Sequence, residues 1–206
     1  MTRGMLIGLA LIGTALAVGC TPANKRRVDA PSLSPSAAAK RAMEEYDANK
    51  DGFLDAVELS KSPPLKSALE KFDMNHDGRL SADEIEARLR TYSDNNIGMM
   101  GTAAKFTLDD LPLEGATVTL IPEAFLGPSF KRATGVTDAD GNAWFKTEGE
   151  TVDGVACGLY RVEVSKKESG GKELIPAKYN SQTTLGFELA QDKRTGLSFR
   201  LTSASR

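Results

Sequence analysis

The sequence predicts an α+β multidomain protein, a pair of short helical units followed by an antiparallel β-sandwich. Two observations predict this class. A pattern of acidic residues, asparagine and glycine occurs twice, at residues 47–58 and 73–84, and apolar residues flank each copy at helical spacing. From about residue 101 onward, apolar and polar residues alternate one by one in short runs between turn-forming residues. The first spacing is typical of an amphipathic helix, and the second of a strand with one buried face.

The overall composition is that of an ordinary soluble protein. The chain has 206 residues and a formal net charge of -2, with 26% charged and 40% hydrophobic residues. This composition excludes collagen-like, low-complexity and multi-span membrane proteins. The slight acidity argues against a nucleic-acid-binding protein, which would carry a basic surface.

Histidine and cysteine are scarce, which restricts the chemistry available to the chain. His76 is the single histidine, so a Ser-His-Asp or Cys-His catalytic system would depend on it. The two cysteines, Cys20 and Cys157, are too few for a disulfide scaffold or a four-cysteine zinc site. We expect Cys157 to be a small buried residue rather than a reactive one.

The N-terminus, residues 1–19, is predicted to be a secretory signal peptide. Arg3 precedes an apolar run at residues 6–18, which has a charged start and small residues near its end. The run is shorter than the about 20 apolar residues that a membrane-spanning helix requires. We therefore expect export rather than a stable transmembrane helix.

The end of this segment predicts a lipid anchor. Residues 16–20, Leu-Ala-Val-Gly-Cys, resemble the bacterial lipobox, in which the cysteine is acylated and becomes the first mature residue. The resemblance implies lipidation of Cys20; the alternative is a plain secretory signal that contains a cysteine. Residues 20–36 are rich in proline, serine and basic residues, and we expect them to form a tether.

The two repeated segments, called loop one (residues 47–58) and loop two (residues 73–84), share one arrangement of oxygen-bearing side chains. Positions 1, 3 and 5 carry aspartate or asparagine, position 6 is glycine and position 12 is glutamate, as in the EF-hand calcium loop. A hard cation takes six to eight oxygen ligands, and the glycine permits the sharp turn that gathers them. Position 7 contributes a main-chain carbonyl and position 9 usually acts through water. The predicted ligands are Asp47, Asn49, Asp51, Phe53, Asp55 and Glu58 in loop one, and Asp73, Asn75, Asp77, Arg79, Ser81 and Glu84 in loop two.

The residues around the loops favour an EF-hand pair over residues 37–92. Tyr46 and Phe72 precede the two loops, and Leu54 and Leu80 occupy position 8, where paired EF-hands are joined by a short β-bridge. The alternative, a metal-free turn rich in aspartate and glycine, would not require these matched positions. We expect two calcium ions in a structural rather than a switching role. Loop one has one more carboxylate than loop two and should bind calcium more tightly.

The rest of the chain carries the strand pattern. Residues 93–100, with their asparagines and glycine, are predicted to be a linker, and residues 101–206 the β-sandwich. Residues 137–142 resemble a third acidic loop, but Val136 and Thr147 would then stand at positions 1 and 12, so we expect a hairpin turn. Because the strand pattern is separate from the calcium loops, we expect this part to fold without calcium.

Four segments of the β-rich part carry a second resemblance: residues 112–120, 137–141, 158–162 and 175–180. They are similar to the transthyretin-like, carboxypeptidase-regulatory-like domain, as it occurs in small lipoproteins of planctomycete-type bacteria. The resemblance implies a prealbumin-like sandwich of seven strands and a noncatalytic accessory role. It brings no active-site residues to this chain.

These observations predict an exported lipoprotein, anchored to the membrane of the cell envelope by lipid, which binds calcium and is not an enzyme. His76 falls at loop position 4, which points away from the metal, and the chain has neither a Gly-x-Ser-x-Gly motif nor a carboxylate pair that can be placed across a cleft. The expected partner is an envelope protein or a polysaccharide, and no nucleic acid. The alternatives are a carbohydrate-binding module or an accessory domain of an envelope hydrolase. A carbohydrate-binding module needs exposed aromatic residues, so the face that Trp144 occupies distinguishes these functions.

Overall fold

The computed structural model describes residue 1 and residues 28–94, 97–192 and 196–203. Apart from Met1, the predicted signal peptide lies outside the described residues, and so does Cys20. Within the described ranges, no helix has the length and apolar character needed to cross a lipid bilayer.

Helices occupy the first part of the described chain and strands the second, so the predicted α+β class is confirmed. The helices are α1 (Pro35–Tyr46), α2 (Ala56–Leu59), α3 (Pro63–Ser67), α4 (Leu69–Phe72) and α5 (Ala82–Asp94). Helix α1 therefore begins inside the predicted tether, and α5 runs into the predicted linker.

Helices α1 and α3 begin where local chemistry favours a start. Pro35 and Pro63 lie in the first turns, where the missing N–H of proline has no helical partner to lose. Ser62 caps α3, since its Oγ accepts a hydrogen bond from the N–H of Leu65 at 3.4 Å. The buried face of α1 consists of Ala38, Ala39, Ala42 and Tyr46. These small alanines allow α1 to pack closely on its neighbours.

Eleven strands are assigned among the described residues. They are β1 (Phe53–Leu54), β2 (Leu80–Ser81), β3 (Ala103–Leu108), β4 (Leu111–Pro112), β5 (Thr117–Pro122), β6 (Ala133–Val136), β7 (Asn142–Trp144), β8 (Lys146–Thr147), β9 (Gly158–Ser165), β10 (Gly186–Leu189) and β11 (Leu197–Leu201). Strands β1 and β2 pair with each other across the two loops. The larger sheet has the order β10-β9-β5-β6-β8, and the smaller has the order β11-β3-β4, with β7 also pairing with β3.

One strand pair departs from the predicted antiparallel arrangement. Strand β11 runs parallel to β3, with residue 104 opposite residue 197, whereas the other pairs between these strands are antiparallel. The prediction of a wholly antiparallel β part is wrong at this pair. The alternation of apolar and polar residues has the same period in both kinds of strand, so it cannot determine direction.

The acidic segment at residues 137–142 is a turn, but it is not a hairpin. Asp138 Oδ1 accepts hydrogen bonds from the N–H groups of Asp140 (3.0 Å) and Asn142 (2.8 Å), and Gly141 has a φ of +79°. The turn joins β6 of the larger sheet to β7 of the smaller one. It therefore carries the chain from one sheet to the other.

The side chains between the layers form two cores. One lies between the two sheets and includes Phe106, Val118, Leu120, Val162 and Leu201. The other joins the helices to the outer face of the larger sheet. It contains the apolar residues of α1 and both loops together with Phe125, Leu126, Phe130, Ala156, Cys157, Leu159 and Ala190. The helical and β-rich parts thus share a core. The prediction that the β-rich part folds without calcium did not anticipate this shared core.

Two glycines mark close backbone approaches, one of them between the helices and the larger sheet. A Cβ atom added to Gly186 of β10 would lie 2.3 Å from the backbone nitrogen of Pro64 in α3. A Cβ atom added to Gly98 would lie 1.8 Å from the carbonyl oxygen of Val28. Val28 in the middle of the predicted tether therefore packs against the predicted linker.

Candidate metal centre

Loop one begins and ends with local capping contacts. Helix α1 ends at Tyr46, and the N–H of Asp47 donates to the carbonyl of Met43 at 2.9 Å. Asp55 then caps α2, as its Oδ1 accepts from the N–H groups of Val57 (2.8 Å) and Glu58 (2.9 Å). The sequence thus places loop position 1 at the end of α1 and position 9 at the start of α2, with Glu58 of position 12 in the first turn of α2.

Both loops adopt the same backbone turn. Lys50 and Gly52 in loop one have φ values of +60° and +87°, and His76 and Gly78 in loop two have values of +60° and +81°. Two left-handed residues at positions 4 and 6 reverse the chain within a few residues, and glycine adopts this conformation at little cost. His76 is exposed, as predicted.

The Asp47 carboxylate faces the inside of loop one. Its Oδ2 accepts a hydrogen bond from the N–H of Gly52 at 3.1 Å. Its Oδ1 is buried and has no hydrogen-bond partner. A buried carboxylate oxygen without a donor is costly, and a cation would satisfy it. This atom is the clearest sign that the loop fits a metal ion.

The middle of loop one is held by its own side chains. Asn49 Oδ1 accepts from the N–H of Asp51 at 2.9 Å, and Asn49 Nδ2 donates to Asp51 Oδ2 at 3.1 Å. Asp51 Oδ1 accepts from the N–H of Phe53 at 2.9 Å. These bonds arrange positions 3, 5 and 7 around one turn.

The closing glutamate of loop one is buried, with 4% of Glu58 exposed. Its Oε1 accepts from the N–H groups of Ala48 (2.8 Å) and Asn49 (3.3 Å), and its Oε2 accepts from the N–H of Asp55 (3.1 Å). Glu58 thus connects the start of the loop to its end.

Loop two repeats these contacts almost residue for residue. Asp73 Oδ2 accepts from the N–H of Gly78 at 2.8 Å, and Asp73 Oδ1 accepts from the N–H of Asp77 at 3.2 Å. Asn75 Oδ1 also accepts from the N–H of Asp77, at 2.9 Å. Glu84 Oε2 accepts from the N–H (2.9 Å) and the hydroxyl (2.7 Å) of Ser81. Ser81 replaces the carboxylate that Asp55 supplies in loop one.

A short β-bridge joins the two loops. Phe53 pairs with Ser81, and Leu54 pairs with Leu80. The Arg79 guanidinium lies over the ring of Phe53, 4.2 Å from its centre. The two loops are therefore positioned as one unit, as their matching leucines predicted.

Most carboxylates of the two loops have no cationic side chain beside them. Of the ion pairs found among the described residues, only that of Arg79 with Asp77 involves a predicted ligand. The N–H of Arg79, which bonds to Asp77, holds the pKa of that carboxyl below its ordinary value. Asp73 and Glu84 are buried, with 6% and 8% exposed. Buried carboxylates without a cationic partner favour the entry of a cation.

The predicted metal ligands nevertheless do not converge on one point. In the part of the chain that the structure describes, no group of three or more His, Cys, Asp or Glu side chains is placed to hold a metal ion. The reason is local, because the oxygens of Glu58 and Glu84 accept hydrogen bonds from N–H groups of their own loops. The donor set fits a hard cation, although its members do not converge.

Sequence reasoning missed two buried glutamates that link the helices to the sheet. Glu123, just after β5, accepts from the hydroxyls of Tyr46 and Ser62, and Glu188 of β10 accepts from Arg88 and Tyr92 of α5. Burial raises the pKa of Glu123 above its ordinary value, even though Tyr46, Arg161 and Ser62 lower it. Alternation places Glu188 on the outer face of its strand, between Phe187 and Leu189. Only the position of the helices shows that this face is covered.

Comparison with known proteins supports the EF-hand interpretation of the helical part. The family model described as EF hand matches residues 40–61 and 65–89. No curated protein and no solved structure matches the chain. Residues 40–89 are thus an EF-hand pair, and this match indicates calcium binding.

Proposed function

We propose that the protein is an exported lipoprotein that binds two calcium ions and has a noncatalytic structural or binding role at the cell envelope. The observation that carries the calcium proposal is the unpartnered, buried Oδ1 of Asp47, beside a loop in which Glu58 is also buried. Loop two has the same backbone turn, and its closing glutamate, Glu84, is also buried, which supports a second ion.

The proposed ligands are the residues at positions 1, 3, 5, 7, 9 and 12 of each loop. In loop one, Asp47 and Asp51 supply carboxylates, Asn49 an amide oxygen and Phe53 a carbonyl oxygen, and Asp55 acts through water. Glu58 must exchange its N–H donors for the ion. Bound calcium would be the cationic partner of these oxygens. We propose a structural role, because the loops lie against the core that both parts of the protein share.

Calorimetric titration of the full chain with calcium tests this proposal. We expect two binding events, the tighter at loop one because it carries four carboxylates against three in loop two. Glu58→Gln should remove the tighter event and Glu84→Gln the weaker one. No binding by the wild-type chain would overturn the proposal. Two events in the reverse order would contradict only the argument from charge.

The proposed anchor is tested separately. If Cys20 is acylated, Cys20→Ala should release the exported protein from the membrane fraction, and mass spectrometry should find no acyl groups on the variant. Stable attachment is expected because each buried methylene contributes about 0.8 kcal/mol. Unchanged partitioning and mass would show that the segment is a plain secretory signal.

We further propose that the β-rich part is a transthyretin-like domain that binds an envelope protein or a polysaccharide. Two sheets that share one core are compatible with this resemblance. An envelope pull-down with the full chain, with and without calcium, would identify the partner. An envelope hydrolase among the specific partners would favour the alternative, an accessory domain of an envelope hydrolase.

One observation favours a carbohydrate-binding module as the second candidate. Trp144 is 68% exposed, whereas its neighbours Ala143 and Phe145 are buried. It lines a cavity of about 600 Å³ together with Ala103 and Gly101. Sugar rings stack on such accessible aromatic faces.

Intrinsic fluorescence provides the test of this second candidate, since Trp144 is the single tryptophan. Binding of a cell-wall polysaccharide should shift its emission, and Trp144→Ala should abolish binding measured by pull-down on the insoluble polymer. Trp144→Phe, which keeps an aromatic face, should retain part of the binding. Equal binding by the wild type and Trp144→Ala would exclude this site.

A further inference from the structure

Both flanks of loop one meet at a single glutamate of the β-rich part. Glu123 Oε2 accepts a hydrogen bond from the hydroxyl of Tyr46 at 2.7 Å, and Glu123 Oε1 accepts from the hydroxyl of Ser62 at 2.9 Å. Tyr46 ends α1 and directly precedes Asp47, while Ser62 caps α3, shortly after Glu58. One buried carboxylate therefore contacts the chain just before loop one and just after it.

Arg161 of β9 reinforces this contact. Its Nε lies 3.3 Å from Glu123 Oε1, and its Nη2 donates to the Tyr46 hydroxyl at 3.1 Å and to the Lys61 carbonyl at 2.6 Å. The Glu123 side chain is 2% exposed. A network of this kind, desolvated and bonded on both sides, resists displacement of either flank.

Loop two is held differently. Glu188 accepts from Arg88 Nε at 2.6 Å and from Arg88 Nη2 at 3.0 Å, and it also accepts from the hydroxyl of Tyr92. Both partners belong to α5, which follows loop two. Glu188 thus holds one flank of its loop, whereas Glu123 holds both flanks of loop one.

We propose that Glu123 is a positioning residue for calcium in loop one, acting through Tyr46 and Ser62. By fixing the ends of the loop, it sets the separation of Asp47 and Glu58 before the ion binds. The affinity of loop one then depends on the β-rich part, and calcium in loop one strengthens the contact in return. This inference rests on the proposed calcium binding.

Titration of the full chain in a Glu84→Gln background isolates loop one. In that background, Tyr46→Phe removes the hydroxyl but keeps the ring, which packs edge-on against Phe125. We expect Tyr46→Phe and Glu123→Gln each to weaken calcium binding about 10-fold, within the usual range of coupling between sites. The double variant should be little worse than either single variant, since both changes break the same contact.

Tyr92→Phe is the matched control, because it removes the corresponding hydroxyl from Glu188. It should leave the affinity of loop one within about 2-fold of the parent, well below a typical coupling effect. Circular dichroism would confirm that each variant is folded. If Glu123→Gln does not fold, the comparison of calcium affinity between Tyr46→Phe and Tyr92→Phe tests the positioning role.

The outcomes separate this inference from the proposed function. If the parent binds calcium and Tyr46→Phe binds it equally well, the positioning role is wrong and calcium binding stands. If Tyr92→Phe weakens loop one as much as Tyr46→Phe does, the effect is general loosening and the inference is also overturned. If the wild-type chain binds no calcium, both proposals fail.

Discussion

Asp47 Oδ1 provides a test at the scale of one atom. Asp47→Asn retains the shape of the side chain but removes its charge, so calcium binding to loop one should weaken by about 10-fold or more. Calorimetric titration in the Glu84→Gln background measures this change. Asp140→Asn, in the turn between the two sheets, is the control and should leave the affinity unchanged. Equal affinities for both variants would contradict a ligand role for Asp47.

Cys157 is free and 5% exposed, and its Sγ lies 3.4 Å from Met100 Sδ. Burial raises the pKa of this thiol to about 11. In a Cys20→Ala background, alkylation at neutral pH should therefore be slow in the folded protein and fast in guanidinium, because the thiolate is the reactive form. Mass spectrometry over time measures the rate. Fast labelling of the folded protein would show that this part of the shared core opens readily.

Asp192 provides a test of pH dependence. Its hydrogen bonds to Arg88, both at 3.0 Å, hold its pKa below the ordinary value of 3.8. A carboxyl with a lowered pKa in the folded state stabilises the protein above its unfolded pKa, and this stabilisation is lost as the pH falls through the folded pKa. The difference in unfolding free energy between the wild type and Asp192→Asn should thus shrink as the pH falls from about 5 to about 2. Urea denaturation across this range measures it, and a constant difference would contradict the assignment.

At the scale of elements, the two loops could be predicted from the sequence, but the contacts that join them to the β-rich part could not. Spacing identified both loops and the pairing of Leu54 with Leu80, because the ligand pattern and the turn are local. The direction of β11 could not be predicted, since alternation is the same in parallel and antiparallel strands. The roles of Glu123 and Glu188 depend on which surface the helices cover, and no local pattern encodes that.

Gly186 tests the contact between α3 and β10. Gly186→Ala would place a Cβ atom 2.3 Å from the Pro64 nitrogen, so the helix or the strand must shift. Overpacking of this kind costs about 1–3 kcal/mol. We expect Tm to fall by about 2–4 °C for each kcal/mol, as is usual for a protein of this size.

The control for this substitution is Gly170→Ala. A Cβ atom at Gly170 meets nothing within 4 Å, so its Tm should stay close to that of the wild type. Both variants can be compared by thermal circular dichroism. If they melt at the same temperature, the close approach of α3 to β10 does not restrict residue 186.

At the scale of the whole molecule, the shared core predicts that calcium affects more than the helices. Ligand that binds the folded state stabilises every region that unfolds with it. Chelation should therefore lower the melting temperature of the β-sheet signal together with that of the helices. Calorimetry combined with circular dichroism tests for one common transition. Two transitions, with only the first sensitive to calcium, would show that the β-rich part folds independently.

The parallel pairing of β11 with β3 bears on when the protein can fold during its synthesis. Residue 104 meets residue 197, so this edge of β3 lacks its partner until nearly all of the intervening chain has emerged from the ribosome. Contacts between residues so distant in sequence form slowly. The export proposed above requires a chain that has not yet folded, and a β3 edge that closes late in synthesis would leave the smaller sheet open during that passage.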